Sequence, residues 1–118
     1  MQPQIPQEVQ YKIMQFQELQ ERIRALIVRR QQLEVELREV ESALDELKTL
    51  SGETPIFKFA GRILMRVNKD SMIKELSEKK ETLELHIRTL ERQEVHARKR
   101  LEELRQDLNQ ALSGISGT

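Results

Sequence analysis

The sequence predicts a mainly α-helical protein in which two long antiparallel coiled-coil helices are joined by one β-hairpin. Two uninterrupted heptad patterns predict the helices, and a short segment of alternating apolar residues around a glycine predicts the hairpin. Composition agrees, because 34% of the residues are charged and only 3% are aromatic, values typical of solvated helices. A single domain over 1–118 is therefore expected, with a helix over about 6–50, a hairpin over about 55–68 and a helix over about 70–113.

The first heptad pattern predicts the N-terminal helix. Its steps alternate between three and four residues, and nine of its ten positions are apolar. The positions are Phe16, Leu19, Ile23, Leu26, Arg30, Leu33, Leu37, Val40, Leu44 and Leu47. Pro6 fits the first helical position, where its missing N–H has no cost. Gly52 follows the pattern and can adopt the left-handed conformation that ends helices.

The connection between the helices predicts a β-hairpin with Gly61 in its turn. Pro55 disfavours helix at its start. The alternation is expected to place one apolar set on one face and a smaller set on the other. The first set is Phe57, Phe59, Ile63, Met65 and Val67, and the second is Ile56 and Leu64. Two strands alone cannot bury both sets, so hairpins from several chains are expected to join into a larger sheet or closed barrel.

The second heptad pattern runs from Ile73 to Ala111, and ten of its twelve positions are apolar. Asp70 is the predicted N-cap, and Ser113-Gly114 is the predicted end. Because only 23 residues, Thr49–Ser71, join the two patterns, the helices are expected to pack antiparallel.

Arg30, Lys80 and Glu94 are the polar positions of the two patterns. Aligning Leu47 with Ile73 brings Arg30 within one turn of Glu94. The two side chains either form a contact that fixes the register or extend out to solvent.

Composition and motifs exclude most enzyme and ligand classes. Equal numbers of basic and acidic residues, 20 each, argue against nucleic-acid binding and against binding to anionic membranes. The chain has no cysteine, no phosphate-binding glycine motif and no histidine pair at metal-ligand spacing. It also has no apolar run long enough for a membrane span and no signal-peptide pattern. A non-enzymatic cytoplasmic protein without cofactor or metal is expected.

Apolar residues near both chain ends form the candidate binding surface. An antiparallel pair of helices brings the two ends together, and exposed apolar groups gathered in one place usually mark a binding surface. The candidate residues are Ile5, Val9, Ile13, Met14, Phe16, Leu108, Leu112 and Ile115. The alternative is that they pack within the end of the helical pair or against a neighbouring subunit.

The hairpin between two heptad helices resembles the β-type subunit of the prefoldin family. The resemblance covers nearly the whole chain and is carried by the strand block Ile56–Met65, the junction Asn68-Lys69-Asp70, and the stretches Thr82–Glu84 and Leu90–Glu94. It implies a hexamer of two α-type and four β-type subunits built on a hairpin barrel. The chain is more similar to an archaeal subunit than to a eukaryotic one. It further implies ATP-independent capture of unfolded polypeptides and their delivery to a group II chaperonin. A structural coiled-coil adaptor that binds one folded partner is the alternative.

Overall fold

The computed structural model describes residues 5–116, with side chains up to residue 114. Helix α1 spans Gln7–Thr49, strand β1 Ile56–Ala60, strand β2 Ile63–Val67 and helix α2 Lys69–Ser116. Two long helices joined by an antiparallel hairpin are the predicted fold class, which is thereby confirmed. The chain divides into two compact units. The terminal unit is formed by Met1–Arg30 with Thr89–Thr118, and the hairpin unit by Gln31–Arg88.

The terminal unit is a pair of helical segments that run antiparallel. Leu19 lines one groove with Leu104 and an adjacent groove with Ala97, while Arg30 contacts Glu94. Residues later in α1 therefore contact residues earlier in α2, as in an antiparallel pair. Its buried apolar residues are Val9, Ile23, Ala97, Leu104 and Leu108.

The hairpin unit buries its own part of the heptad seam. Its buried residues are Leu33, Val40, Leu44, Leu47, Leu83 and Ile87. Lys79 bridges to Glu36 at 3.1 Å across the helices, and the seam residue Lys80 reaches Glu41 at 4.0 Å. Every position of both predicted heptad patterns is buried or partly buried, because these positions recur on one helix face.

The ends of α1 differ in part from the prediction. Pro6 immediately precedes the helix, and its carbonyl accepts hydrogen bonds from the backbone N–H groups of Val9 and Gln10, both at 3.0 Å. Gly52 does not provide the left-handed end, since Gly61 alone among the described residues has a positive φ. Side chains instead donate to backbone carbonyls of the last turn of α1 and of the residue after it. Thr49 Oγ1 donates to the Glu46 carbonyl at 2.8 Å, and Lys69 Nζ donates to the Leu50 carbonyl at 2.6 Å.

Helix α2 begins and ends outside the predicted limits. Asn68 is the N-cap rather than Asp70, because its Oδ1 accepts the Ser71 backbone N–H at 3.1 Å. Asp70 lies in the first turn, where a negative charge is favourable. The helix continues through Ser113-Gly114 to Ser116. A helical glycine costs only about 1 kcal/mol relative to alanine, so Gly114 does not end the helix.

The hairpin register corrects the predicted distribution of apolar residues. Gly61 has φ +63° and Arg62 does not have positive φ, a combination typical of a two-residue type II′ turn. This turn pairs Ala60 with Ile63 and therefore Phe59 with Leu64. Directly paired residues share a face. Consequently Phe57 and Phe59 lie on the face opposite Ile63, Met65 and Val67, contrary to the expectation that all five share one face.

Candidate functional site

The terminal unit exposes several of the apolar residues named from the sequence. Ile5, Met14 and Leu112 have 42%, 50% and 41% of their surface exposed. Tyr11 is exposed as well and lines a shallow groove with Met14, Gln7, Glu8 and Gln10. Tyr11 is not among the candidate residues named from the sequence. Its polar hydroxyl and aromatic ring suit an amphipathic contact surface.

Other members of the candidate set are not available on the surface. Val9 and Leu108 are buried, and Ile13 and Phe16 are partly buried. These residues occupy or flank the helix-helix seam, so a ligand could reach the buried ones only if the helices separated. The Ile115 side chain lies outside the described residues. The structure thus divides the candidate set into exposed residues and residues that stabilise the helical pair.

The hairpin presents a second apolar surface, which we call the aromatic face. It consists of Phe57, Phe59, Leu64 and Arg66, which the register places on one side of the two strands. Phe59 has 76% of its surface exposed, and Phe57 and Leu64 are more than half exposed. Apolar burial is favourable by roughly 25 cal/mol per Å². Contact of this face with another apolar surface would therefore be favourable.

The opposite side, which we call the lysine face, consists of Ile56, Lys58, Ala60, Ile63, Met65 and Val67. Ile56 and Val67 are partly buried, whereas Ile63 and Met65 are exposed. Lys58 Nζ donates to both carboxylate oxygens of Glu75 in α2, at 3.0 and 3.1 Å. One side chain of the lysine face, Lys58, therefore contacts a helix of its own chain.

A buried ion pair interrupts the apolar seam of the terminal unit. The Arg30 guanidinium donates to both carboxylate oxygens of Glu94, with the Nη2–Oε1 distance at 3.2 Å. Glu94 is the one buried charged residue in the described part of the chain, with 6% of its surface exposed. Of the two arrangements left open by the sequence, the direct contact is the one observed. Bidentate arginine–carboxylate pairs of this kind have a well-defined geometry.

Other charged groups of the terminal unit lie on its surface. Arg105 donates to Glu102 at 2.9 Å, and this hydrogen bond lowers the pKa of the Glu102 carboxyl group below its usual value. Arg24 pairs with Glu21 at 2.6 Å, and both side chains are 70% exposed. Exposed pairs of this kind contribute little to stability.

The Arg30–Glu94 pair makes a testable contribution to stability. Replacing Glu94→Ala should lower the free energy of unfolding by about 2 kcal/mol, since it removes both hydrogen bonds that Arg30 donates to the Glu94 carboxylate in the seam. The loss falls below the 3–5 kcal/mol typical of buried pairs because the Arg30 side chain is 23% exposed. Replacing both residues with leucine should be neutral or stabilising by about 1–4 kcal/mol.

Urea unfolding followed by circular dichroism at one fixed chain concentration measures these changes. Glu21→Ala is the matched control, because it breaks an exposed ion pair of the same unit and should change stability by less than about 0.5 kcal/mol. A Glu94→Ala variant as stable as the control would contradict a structural role for the pair.

The two histidines are both exposed, and no cluster of three or more potential metal ligands occurs within residues 5–116. None of the described helices is long and apolar enough to cross a membrane.

Known proteins are similar to this chain in sequence and in fold. A family model described as "Prefoldin subunit" matches residues 10–115. The chain belongs to the prefoldin family. The prefoldin β subunit of Archaeoglobus fulgidus is 45% identical over 113 residues, which cover 96% of this chain and 97% of that relative. The β subunit of Pyrobaculum islandicum is 41% identical over 115 residues, or 98% of this chain and 92% of that relative.

A solved prefoldin structure extends the similarity to three dimensions. The crystal structure of the prefoldin β subunit from Thermococcus strain KS-1 matches with a TM-score of 0.84 and 33% identity, covering 94% of this chain and 97% of that one. The predicted resemblance to the β-type prefoldin subunit is confirmed. The chain is a prefoldin chaperone subunit, and the relatives that support this assignment are archaeal.

Proposed function

We propose that this prefoldin subunit captures unfolded polypeptides with the exposed apolar residues of its terminal unit and transfers them to a group II chaperonin. Capture needs no ATP and no catalytic step. The observation that carries the proposal is the group of exposed residues Ile5, Tyr11, Met14 and Leu112, which belong to the two chain ends. Apolar burial is non-directional, so these residues can bind many different unfolded sequences.

The hairpin is proposed to assemble the subunit. Its two apolar faces and unpaired strand edges favour association with other hairpins. We propose a hetero-hexamer with two α-type and four β-type subunits, acting in the cytoplasm. Several terminal units in one complex raise the effective concentration of weak binding sites, which converts weak contacts into useful avidity.

Light scattering tests capture directly. The chain assembled with an α-type prefoldin subunit is mixed with several unrelated denatured proteins, and their aggregation is followed. Suppression of aggregation for all of them is expected. An adaptor for one folded partner would protect none of them, and that result would contradict the proposed function.

Salt dependence provides a second test of the binding chemistry. Raising NaCl from 0.1 to 0.5 M should change the protection by less than about twofold, because screening weakens charge pairs but not apolar contacts. The same light-scattering assay, repeated across the salt series, measures the effect. A tenfold loss of protection in high salt would indicate that charged groups, and not the exposed apolar residues, hold the client.

A further inference from the structure

The apolar positions of the two heptad patterns do not by themselves select one register. In a slip of one heptad, one helix moves seven residues along the other, and apolar positions again face apolar positions. Such a slip displaces the helix by about 10 Å along its axis. Residues 50–55, which join α1 to β1, can span up to about 20 Å when extended. The connection between the helices therefore does not exclude a slip.

The Arg30–Glu94 pair distinguishes the observed register from the slipped ones. Arg30 donates to both carboxylate oxygens of Glu94, which has only 6% of its surface exposed. The residues seven positions before and after Glu94 are Ile87 and Leu101, and both are apolar. A slip in either direction therefore replaces the carboxylate beside Arg30 with an aliphatic side chain. It also moves Glu94 to an apolar layer, where a buried charge is costly.

Two further ion pairs between the helices, both in the hairpin unit, discriminate less strongly between registers. Lys79 pairs with Glu36 at 3.1 Å, and Lys80 reaches Glu41 at 4.0 Å. These four side chains are 39–50% exposed, and exposed pairs contribute little to stability. The pair in the terminal unit combines burial with two hydrogen bonds, so its energy depends most on the register of these three.

We propose that the Arg30–Glu94 pair fixes the register of the terminal unit and thereby aligns the two chain ends for client capture. The exposed residues of these ends include Met14 in α1 and Leu112 in α2. A slip of one heptad displaces the two helices by about 10 Å relative to each other, which changes the apolar surface that a client meets. Arg30 and Glu94 are thus positioning residues. The alignment rests on the proposed capture by the chain ends, whereas the register does not.

Replacing both charged residues with apolar ones separates register from stability. Arg30→Leu with Glu94→Leu makes the seam continuously apolar, so this double-leucine variant should be at least as stable as the unchanged chain. It should also lose the preference for one register, because each slipped register then has apolar residues in these layers. Urea unfolding and circular dichroism check stability and helix content. If the variant loses helix, Arg30→Met with Glu94→Met tests the same layers with unbranched side chains.

Distances between two spin labels report the register directly. The chain has no cysteine, so labels are attached at Ala25→Cys and Asn109→Cys, two exposed positions of the terminal unit. Leu19 and Leu104 line one groove. Because Ala25 follows Leu19 and Asn109 follows Leu104, the labels are staggered along the antiparallel pair, and a slip changes their separation by up to about 10 Å. Labelled chain is diluted with unlabelled chain in the complex, so that distances within one chain dominate.

The labelled chain without further changes should give one distance by double electron–electron resonance. The double-leucine variant should give a second distance, with the slipped population raised at least about tenfold. Glu21→Leu with Arg24→Leu is the matched control, because it removes an exposed ion pair of the same unit, and it should keep one distance. Arg30→Glu with Glu94→Arg restores opposite charges in reversed order and should also keep one distance.

Light scattering of the assembled complexes tests the alignment of the chain ends. The double-leucine complex should protect denatured proteins at least about threefold less well than the unchanged complex, although its chain is as stable, because misaligned ends weaken each of several linked contacts. A role in stability alone predicts no loss of protection.

The outcomes separate this inference from the proposed function. One distance for the double-leucine variant, or two for the charge-reversed variant, would overturn the register role. Two distances with full protection by the double-leucine complex would overturn the alignment role. Failure of the unchanged complex to protect any denatured protein would overturn the proposed function and the alignment role with it, while the distances still decide the register.

Discussion

Replacing Phe59 and Met65 together with lysine is expected to abolish assembly while the two helices remain largely formed. The two residues lie on opposite faces of the hairpin, with 76% and 46% of their surface exposed. The double variant therefore charges the hairpin whichever face is buried. Two lost apolar contacts together remove roughly 3–6 kcal/mol from association, which is enough to dissociate a complex of ordinary affinity.

Native mass and circular dichroism, measured for the variant alone and mixed with an α-type prefoldin subunit, test this expectation. Monomers or ill-defined aggregates with near-normal helix content are the expected result. The control is Gln31→Lys with Gln32→Lys, which adds the same two charges at exposed positions of α1 and should assemble normally. A complex of full size from the Phe59 and Met65 double variant would show that the hairpin is not the assembly element.

Client capture is expected to fall at least about tenfold when Ile5, Tyr11 and Met14 are all replaced with serine. These side chains are 42–57% exposed, and each can contribute up to roughly 1–2 kcal/mol when a client covers it. The effect multiplies across the subunits of one complex because binding is multivalent. Assembly should be unaffected, since no change touches the hairpin.

A second triple variant controls for the general loss of exposed apolar surface. Val28, Val35 and Val95 are 46–67% exposed and lie outside the candidate set. Their replacement with serine should leave protection in the light-scattering assay within about twofold. Equal losses of protection for the two triple variants would contradict client binding at the chain ends.

Removal of residues 1–15 and of those after Leu108 should likewise sharply reduce protection without preventing assembly. This truncation is less selective than the serine variants, because it also removes Val9, which is buried in the seam. Measuring helix content beside light scattering separates loss of the binding surface from loss of the helical pair. Equal protection by a correctly assembled truncated complex would contradict capture by the chain ends.

The two helices and the positions that pair them could be predicted from the order of residues alone. Heptad spacing can be seen directly in the sequence. Helix geometry places the heptad positions on one face, and their burial follows from this. The hairpin was equally predictable, because Gly61 permits the positive φ that a type II′ turn requires. The resemblance to prefoldin depended on this combination and on the strand block between the helices.

The side chains that each surface contains depend on contacts between elements that are distant in the chain. The faces of the hairpin depend on which residues pair across the turn, and pairing Ala60 with Ile63 separates Phe59 from Met65. Burial of Val9 depends on the opposite helix, because Val9 precedes Phe16, the first position of the predicted heptad pattern. Arg30 and Glu94 are 64 residues apart. Their contact requires the antiparallel helices of the terminal unit to place two opposite charges in the same layer.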